Sequence, residues 1–509
     1  MRDDISRVII FSMSQTNVII IGAGIAGLAA GTYLQSSGFK VTILEQHTIA
    51  GGLSTSWRRK GYLFEGGMHW LTGSSPKFPL NRIWHEVGAL KDNNPVFNKD
   101  PFYTLIDGDK TLYLYRDVDK LEKHFISSAP EDEAAIKHMC RDIRRFLKVH
   151  TVITDIPGLK TKHHTHPSFI ELCAMIPAVF RMSPLLKQSY PDYVSQFKNK
   201  EIRDLLLSVV GLRYNAVSFV YTMASFASGD CGYPKGGSLR MAQNMADTFT
   251  ALGGTIQFST KVTGIVSKNG TAAGINTEDT FIPADKIIIT QDTRQAVDSL
   301  FNPPLNEKWA QKMRKNVISE QNMFLCLGIK ADLSKYPLSF VIPLDIPFEA
   351  AGLSFGELCL HNYSTYEGYA PEGCTPLTCL LLGSSYNWWK AKKADGTYKQ
   401  EKEKLIQRFI TEVKKYIPEI GDNVEVTDVA TPCTYERYTG TFEGSWMSVW
   451  EPGGASFTLP AKSETIKGIY FAGERSMMPG GLPITVWAGR RAAQVVCKDT
   501  DTEFVAPQY

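Results

Sequence analysis

The feature that most limits the fold is a β-branched run that leads straight into glycines: Val18 to Ile21 reads VIII, and Gly22-Ala-Gly24-Ile25-Ala26-Gly27 follows. Four such residues in a row suit a central parallel strand buried on both faces. A helical stretch, LAAGTYLQSSG, then ends at Gly38, and a second strand over Lys40 to Leu44 stops at Glu45, 18 residues after Gly27. Each part has a mechanical reason. Gly22 makes the tight turn, Gly24 lets backbone approach a pyrophosphate, and Gly27 lets helix and strand pack closely. The helix N-terminus, at Ile25 and Ala26, supplies free N–H groups, and Glu45, followed by Gln46, accepts from ribose hydroxyls. The glycine triplet alone is a weak signal. Strand, glycines, helix, second strand and acid in register predict an ADP-binding βαβ unit, and the acid disfavours a 2′-phosphate, so NADP is not expected.

The next glycines choose between NAD and FAD. Gly51-Gly52-Leu53-Ser54 and Gly66-Gly67-Met68-His69 leave bare backbone beside an extended cofactor, which FAD requires and NAD does not. Near the other end, an apolar strand closes on Gly473-Glu474, and Gly480-Gly481-Leu482-Pro483 opens a helix that continues to Val496. Its N-terminus carries about half a unit of positive charge, which suits the pyrimidine edge of a flavin. Between these, Gly236-Gly237-Ser238 opens another helix, with strands at Thr255 to Ser259 and Lys286 to Thr290, and Val262 offers backbone to an adenine. One parallel sheet drawn from segments this far apart predicts a discontinuous FAD domain with a substrate domain inserted in it.

Composition excludes some classes. The net charge is only +3, giving no basic field to attract nucleic acid, and the nine cysteines are scattered without a CxxC pair, as expected of reduced thiols in a cytoplasmic protein. The apolar run near the N-terminus is too short for a signal-peptide core. No window has the uncharged length of a spanning helix. The nearest, Phe169 to Leu186, is interrupted by Glu171, Pro177, Arg181 and Pro184. It is read first as a buried helix pair lining a hydrophobic cavity and second as a peripheral membrane patch on the cytoplasmic face. Trp388-Trp389 is expected to be a packed pair, Arg490-Arg491 a solvated face or a brace, and the His163-His164-His166 stretch a polar loop, with no metal site.

Taken together, GAGIAGLAAGTYL at 22 to 34, AGGLSTSW at 50 to 57, GYLFEGGMHWL at 61 to 71, YPKGGS at 233 to 238, TPCTYERYTG at 431 to 440 and GIYFAGERSMMPGGLPITVWAGRRAA at 468 to 493 resemble the phytoene desaturase, carotenoid isomerase and retinol saturase family of FAD-dependent oxidoreductases. The resemblance implies an α/β fold: a glutathione-reductase-like (Rossmann) FAD domain, with an inserted substrate domain of mixed β-sheet plus helical lid. The expected division is FAD domain at 15–95, 231–300 and 461–509, and substrate domain at 96–230 and 301–460. It also implies desaturation, saturation or cis/trans isomerisation of an apolar polyene or isoprenoid-like substrate, with oxygen, a quinone or a reductase as electron acceptor. Candidates for proton work are His69, Tyr438, Glu443 and Glu451, each in or beside a family-like segment. Two alternatives share the fold: a flavin amine oxidase, with Tyr438 and Trp446 as cage rings, and a non-catalytic prenyl-binding protein. Leu53 stands where amine-oxidase relatives usually carry arginine.

Overall fold

The computed structural model describes residues 15–92, 94–450, 459–476 and 480–509. Five parallel strands form one sheet in the order Thr255–Gln257, Lys40–Leu44, Asn17–Ile21, Lys286–Ile289, Ile469–Phe471. Its centre explains the VIII run. Val18 and Ile20 face a core built with helices Ile25–Ser36, Gly237–Ala251 and Gly481–Asp499, whereas Ile19 and Ile21 face a second core on the other side. Both faces are covered, so no position in the strand needs a polar residue. The second core includes Trp309, Ala310 and Met313, so helix Lys308–Asn316 packs under this sheet although it lies past the expected boundary at 300.

A seven-stranded sheet runs Val424–Ala430, Asn322–Ile329, Thr375–Leu382, Leu353–Asn362, Ser339–Ala350, Thr104–Asp107, Lys110–Tyr113. It is mixed, because Thr104–Asp107 joins parallel to Ser339–Ala350 while the other pairings are antiparallel. Six helices between Val118 and Ser228 form a layer with its own apolar core.

The apolar segment departs from its first reading. It is one helix, Phe169–Lys187, not a pair, and Pro177 and Pro184 lie inside it. Only Ala178 and Leu185 of it are buried, while Phe169, Ile170 and Phe180 are 79%, 80% and 81% exposed. Its apolar side chains thus face outward. Arg181 ties the helix to the body through two bonds to Asp142, at 2.9 and 2.7 Å. The tryptophans behave as expected: Trp389 is fully buried, and Trp388 meets it edge-on at 4.8 Å. Arg490 is the brace of its pair, 2% exposed, bonded to Asp155 at 2.7 Å and lying over the rings of Tyr33 and Phe504.

Candidate cofactor and substrate site

A cavity of about 1980 Å³ lies between the two sheets and the helical layer. Ordinary small-molecule pockets span roughly 300 to 1,000 Å³, so there is room for an extended cofactor and a second ligand. Gly22, Gly24, Ile25, Ala26, Glu45, Gln46, Gly51, Gly52, Leu53, Ser54, Gly67, Met68, His69, Val262, Gly473, Glu474, Gly480, Gly481 and Leu482 all line it. Gly27 does not, and its part is structural: a Cβ there would sit 2.0 Å from the carbonyl oxygen of Gly22.

The chemistry of the walls fits FAD. Helices Ile25–Ser36 and Gly481–Asp499 open at Gly24 and Gly480 with no side-chain cap, so two sets of first-turn N–H groups face one cavity. These suit a pyrophosphate and an electron-rich ring edge. Ser54 Oγ and His69 Nδ1 are buried with no protein partner. At the ribose position, the Glu45 carboxylate accepts from the Ala23 and His47 N–H groups, both at 2.8 Å; burial raises its pKa, and those donors pull it back. Glu474 takes the Ser448 hydroxyl at 2.9 Å. Burial pushes its carboxyl up to about 7.

The expected proton-transfer candidates separate. His69 lines the cavity and stacks on His361 with ring centroids 3.9 Å apart and planes 14° from parallel. Burial, helped by Lys99, lowers its pKa to about 3, so its imidazole is neutral. Tyr438 also lines the cavity but stands with Gln46, whose Nε2 donates to the Tyr438 carbonyl at 2.9 Å, and with His47, whose ring it meets edge-on. That is the nucleotide end. No ring contact joins Tyr438 to Trp446 among the described residues, although both line the cavity. Glu443 does not line the cavity; it accepts from Gln321 Nε2 at 3.3 Å, on backbone with φ of 52°. Sharing a sequence segment with cavity residues did not bring its carboxylate there, because a turn intervenes. Glu451 lies outside the described residues.

Sequence reasoning missed Glu65, which organises the loop before His69. The carboxylate is fully buried and accepts from the N–H groups of Gly67 at 2.8 Å, Met68 at 3.2 Å and Ser238 at 2.9 Å, and from the Tyr233 hydroxyl at 2.8 Å. It pins the Gly67–Met68 wall to the start of helix Gly237–Ala251. His361 was missed as well. It belongs to a strand on which Phe355, Glu357, Cys359 and His361, at alternate positions, all line the cavity.

The family model described as flavin containing amine oxidoreductase matches residues 25–497. The chain belongs to this family. As a flavin-containing amine oxidoreductase relative it is an FAD-dependent enzyme, which sets aside the non-catalytic reading. Among curated proteins it is 24% identical to a chloroplastic prolycopene isomerase of Daucus carota, over 96% of this chain and 81% of that one. It is 24% identical to an all-trans-retinol 13,14-reductase of Danio rerio, over 91% and 83%, and 24% identical to a lycopene-forming phytoene desaturase of Pseudescherichia vulneris, over 94% and 99%. Among solved structures, a putrescine oxidase variant matches with a TM-score of 0.63 at 16% identity, covering 95% of this chain and 99% of its own. That likeness speaks for the flavoprotein fold of this family.

Proposed function

We propose that this chain is an FAD-dependent oxidoreductase that acts on carbon–carbon bonds of an apolar polyene or isoprenoid-like substrate. The single observation that supports it best is the cavity: one cavity is lined by the cofactor cradle, by the His69–His361 pair and by the apolar Met182, Leu186 and Leu212. The three curated relatives named above act on such compounds. Bound flavin supplies hydride exchange at N5; the chain's own residues orient the polyene, exclude water and handle the proton. Positioning is the larger task, because a C–H or C=C must be held about 3 to 3.5 Å from the reacting atom.

Anaerobic mixing of oxidised and of reduced protein with candidate polyenes tests this. Oxidised flavin bleached by substrate means desaturation, reduced flavin reoxidised by it means saturation, and geometric conversion with reduced flavin left unchanged means isomerisation. Peroxide release with amines, and no response to any polyene, would replace this reading with the amine-oxidase one.

We also read helix Phe169–Lys187 as a peripheral membrane contact, lying in the interface and not across it. Leu186, at its C-terminal end, is both exposed and part of the cavity wall, so an apolar substrate can pass from lipid to cavity without crossing water. Burying an Ile or Phe side chain is worth about 2 kcal/mol. Ile170→Asp with Phe180→Asp should therefore weaken vesicle binding at least a hundredfold, at unchanged melting temperature, in a liposome flotation assay; unchanged flotation would refute the contact.

A further inference from the structure

We propose that Lys99, Ser339 and His361 form a proton relay that ends in the apolar chamber, so that the proton lost or gained by a substrate carbon passes through His361. The inference rests on the polyene reading above and adds the group that handles the proton.

The geometry is a short chain of hydrogen bonds. Ser339 and His361 face each other across neighbouring antiparallel strands; Ser339 Oγ is 2.9 Å from His361 Nδ1, and Lys99 Nζ donates to Ser339 Oγ at 2.8 Å. An ammonium can only donate. The serine oxygen therefore accepts from Lys99, which leaves the serine O–H to donate to His361 Nδ1. A neutral His361 so held carries its hydrogen on Nε2. That is the nitrogen left for the chamber, which His361 lines beside His69. His69 follows Gly67-Met68 directly, so the end of the relay lies at the wall where the cofactor ring is expected.

Lys99 supports the assignment independently. Among the described residues no carboxylate stands within ion-pair distance of it. The groups that face it are the rings of Phe102 and Tyr103, each 5.0 Å from Nζ, the Cys359 and Cys231 thiols, and the two histidines. Lys99 is half-buried; a cation drawn partly out of water without a counter-charge is costly, and a purely structural link to Ser339 has no need of the charge. Burial brings the Lys99 ammonium down to about 8, with the two thiols acting in the opposite sense. Burial also holds His361 well below the ordinary histidine range, so His361 passes the proton as a neutral ring that changes tautomer.

In saturation, where reduced flavin would supply hydride to one carbon of the double bond, the π pair takes the Nε2 proton of His361 at the neighbouring carbon. His361 regains a proton at Nδ1 from Ser339 and Ser339 takes one from Lys99; once product leaves, Nε2 takes a proton from water and the Nδ1 proton returns through Ser339 to Lys99, which restores the starting tautomer. Desaturation is the reverse and starts from neutral Lys99, with the His361 hydrogen on Nδ1: as hydride would leave to oxidised flavin, the second C–H pair becomes the π bond, its proton goes to Nε2, and the Nδ1 proton passes through Ser339 to Lys99. The sign of the pH dependence follows. Saturation needs Lys99 charged and slows above about pH 8, whereas desaturation needs it neutral and speeds up through the same pH.

The test uses the full-length, FAD-loaded protein with Lys99→Met, Lys99→Arg and Ser339→Ala. In anaerobic single turnovers with a polyene that the wild type converts, Lys99→Met should slow the step about a hundredfold or more and abolish the inflection near pH 8. Lys99→Arg keeps the cation but does not release a proton, so it should be as slow with flavin content and melting temperature unchanged. Nitrogen-15 NMR of labelled histidines should find His361 protonated at Nε2 in the wild type and redistributed between tautomers in Ser339→Ala. Lys99→Arg with the wild-type rate and inflection, or a wild-type His361 protonated at Nδ1 well below pH 8, where Lys99 is charged, would overturn the relay. If no polyene changes the wild-type flavin, the functional reading fails, and the tautomer measurement still decides the relay.

Discussion

Glu65→Ala should yield a chain that no longer holds flavin and that loses more than about 4 kcal/mol of stability. The change strands the N–H groups of Gly67, Met68 and Ser238 and the Tyr233 hydroxyl, and each buried donor left without an acceptor costs about 1 to 3 kcal/mol. A replacement water would recover part of this, and only if the space left by the carboxylate admits it with its bonds aligned. Glu65→Gln is the informative companion. Its carbonyl can still take the Gly67 and Met68 donors, but its amide then points a donor at the Ser238 N–H. Tyr233 can compensate by turning to Tyr369, whose hydroxyl is 2.5 Å away. About 2 kcal/mol is expected for this variant. Denaturant unfolding and the visible flavin absorbance after gel filtration measure both effects; Glu65→Ala that keeps FAD and melts like the wild type would show that the loop is held by something else.

Gly27→Ala should be as damaging, by a different route. The added methyl would meet the Gly22 carbonyl at 2.0 Å and Thr290 Oγ1 at 2.9 Å. The first is backbone and cannot swing aside. Overpacking of this kind costs about 1 to 3 kcal/mol or more, and relief requires the helix to move off the strand, which spoils the cradle. Gly24→Ala separates fold from ligand, since nothing but the Gly51 carbonyl, at 4.0 Å, approaches its Cβ. It should melt like the wild type when stripped of cofactor yet bind FAD at least tenfold more weakly by titration. Equal melting of the two stripped variants would contradict the packing role assigned to Gly27.

What could be read from the sequence was what neighbouring residues settle among themselves. Val18 to Gly27 has a local logic of burial, turn and approach, and every glycine named from it lines the cavity or supports the residues that do. Glu65 was hidden because its partners Tyr233 and Ser238 lie 168 and 173 residues away; an acid before two glycines reads as a solvated turn until the fold closes around it. Lys99, Ser339 and His361 come from three segments with no common motif. Glu443 failed in the opposite direction, since nearness in sequence to cavity residues does not survive a turn of the backbone. The apolar helix shows a further limit: composition told that Phe169 to Leu186 is greasy, but whether such a run is covered depends on partners, and here Glu133–Phe146 and Ala216–Ser228 cover only one side of it.

The order of strands in the parallel sheet also governs how the protein can be made. Asn17–Ile21 leaves the ribosome early, yet its neighbour Lys286–Ile289 and the next strand out, Ile469–Phe471, follow far behind. At about 5 to 20 residues per second, the roughly 265 residues that separate this strand from Lys286–Ile289 mean a wait of about 13 to 53 s with one edge of a largely apolar strand unpaired. Pairings of such long sequence separation are also slow to form. Helix Gly481–Asp499, which supplies one of the two uncapped ends, emerges later than all of these strands. Flavin capture in this protein is therefore a late event in biogenesis, and translation stalled before residue 469 should leave a product that cannot retain FAD.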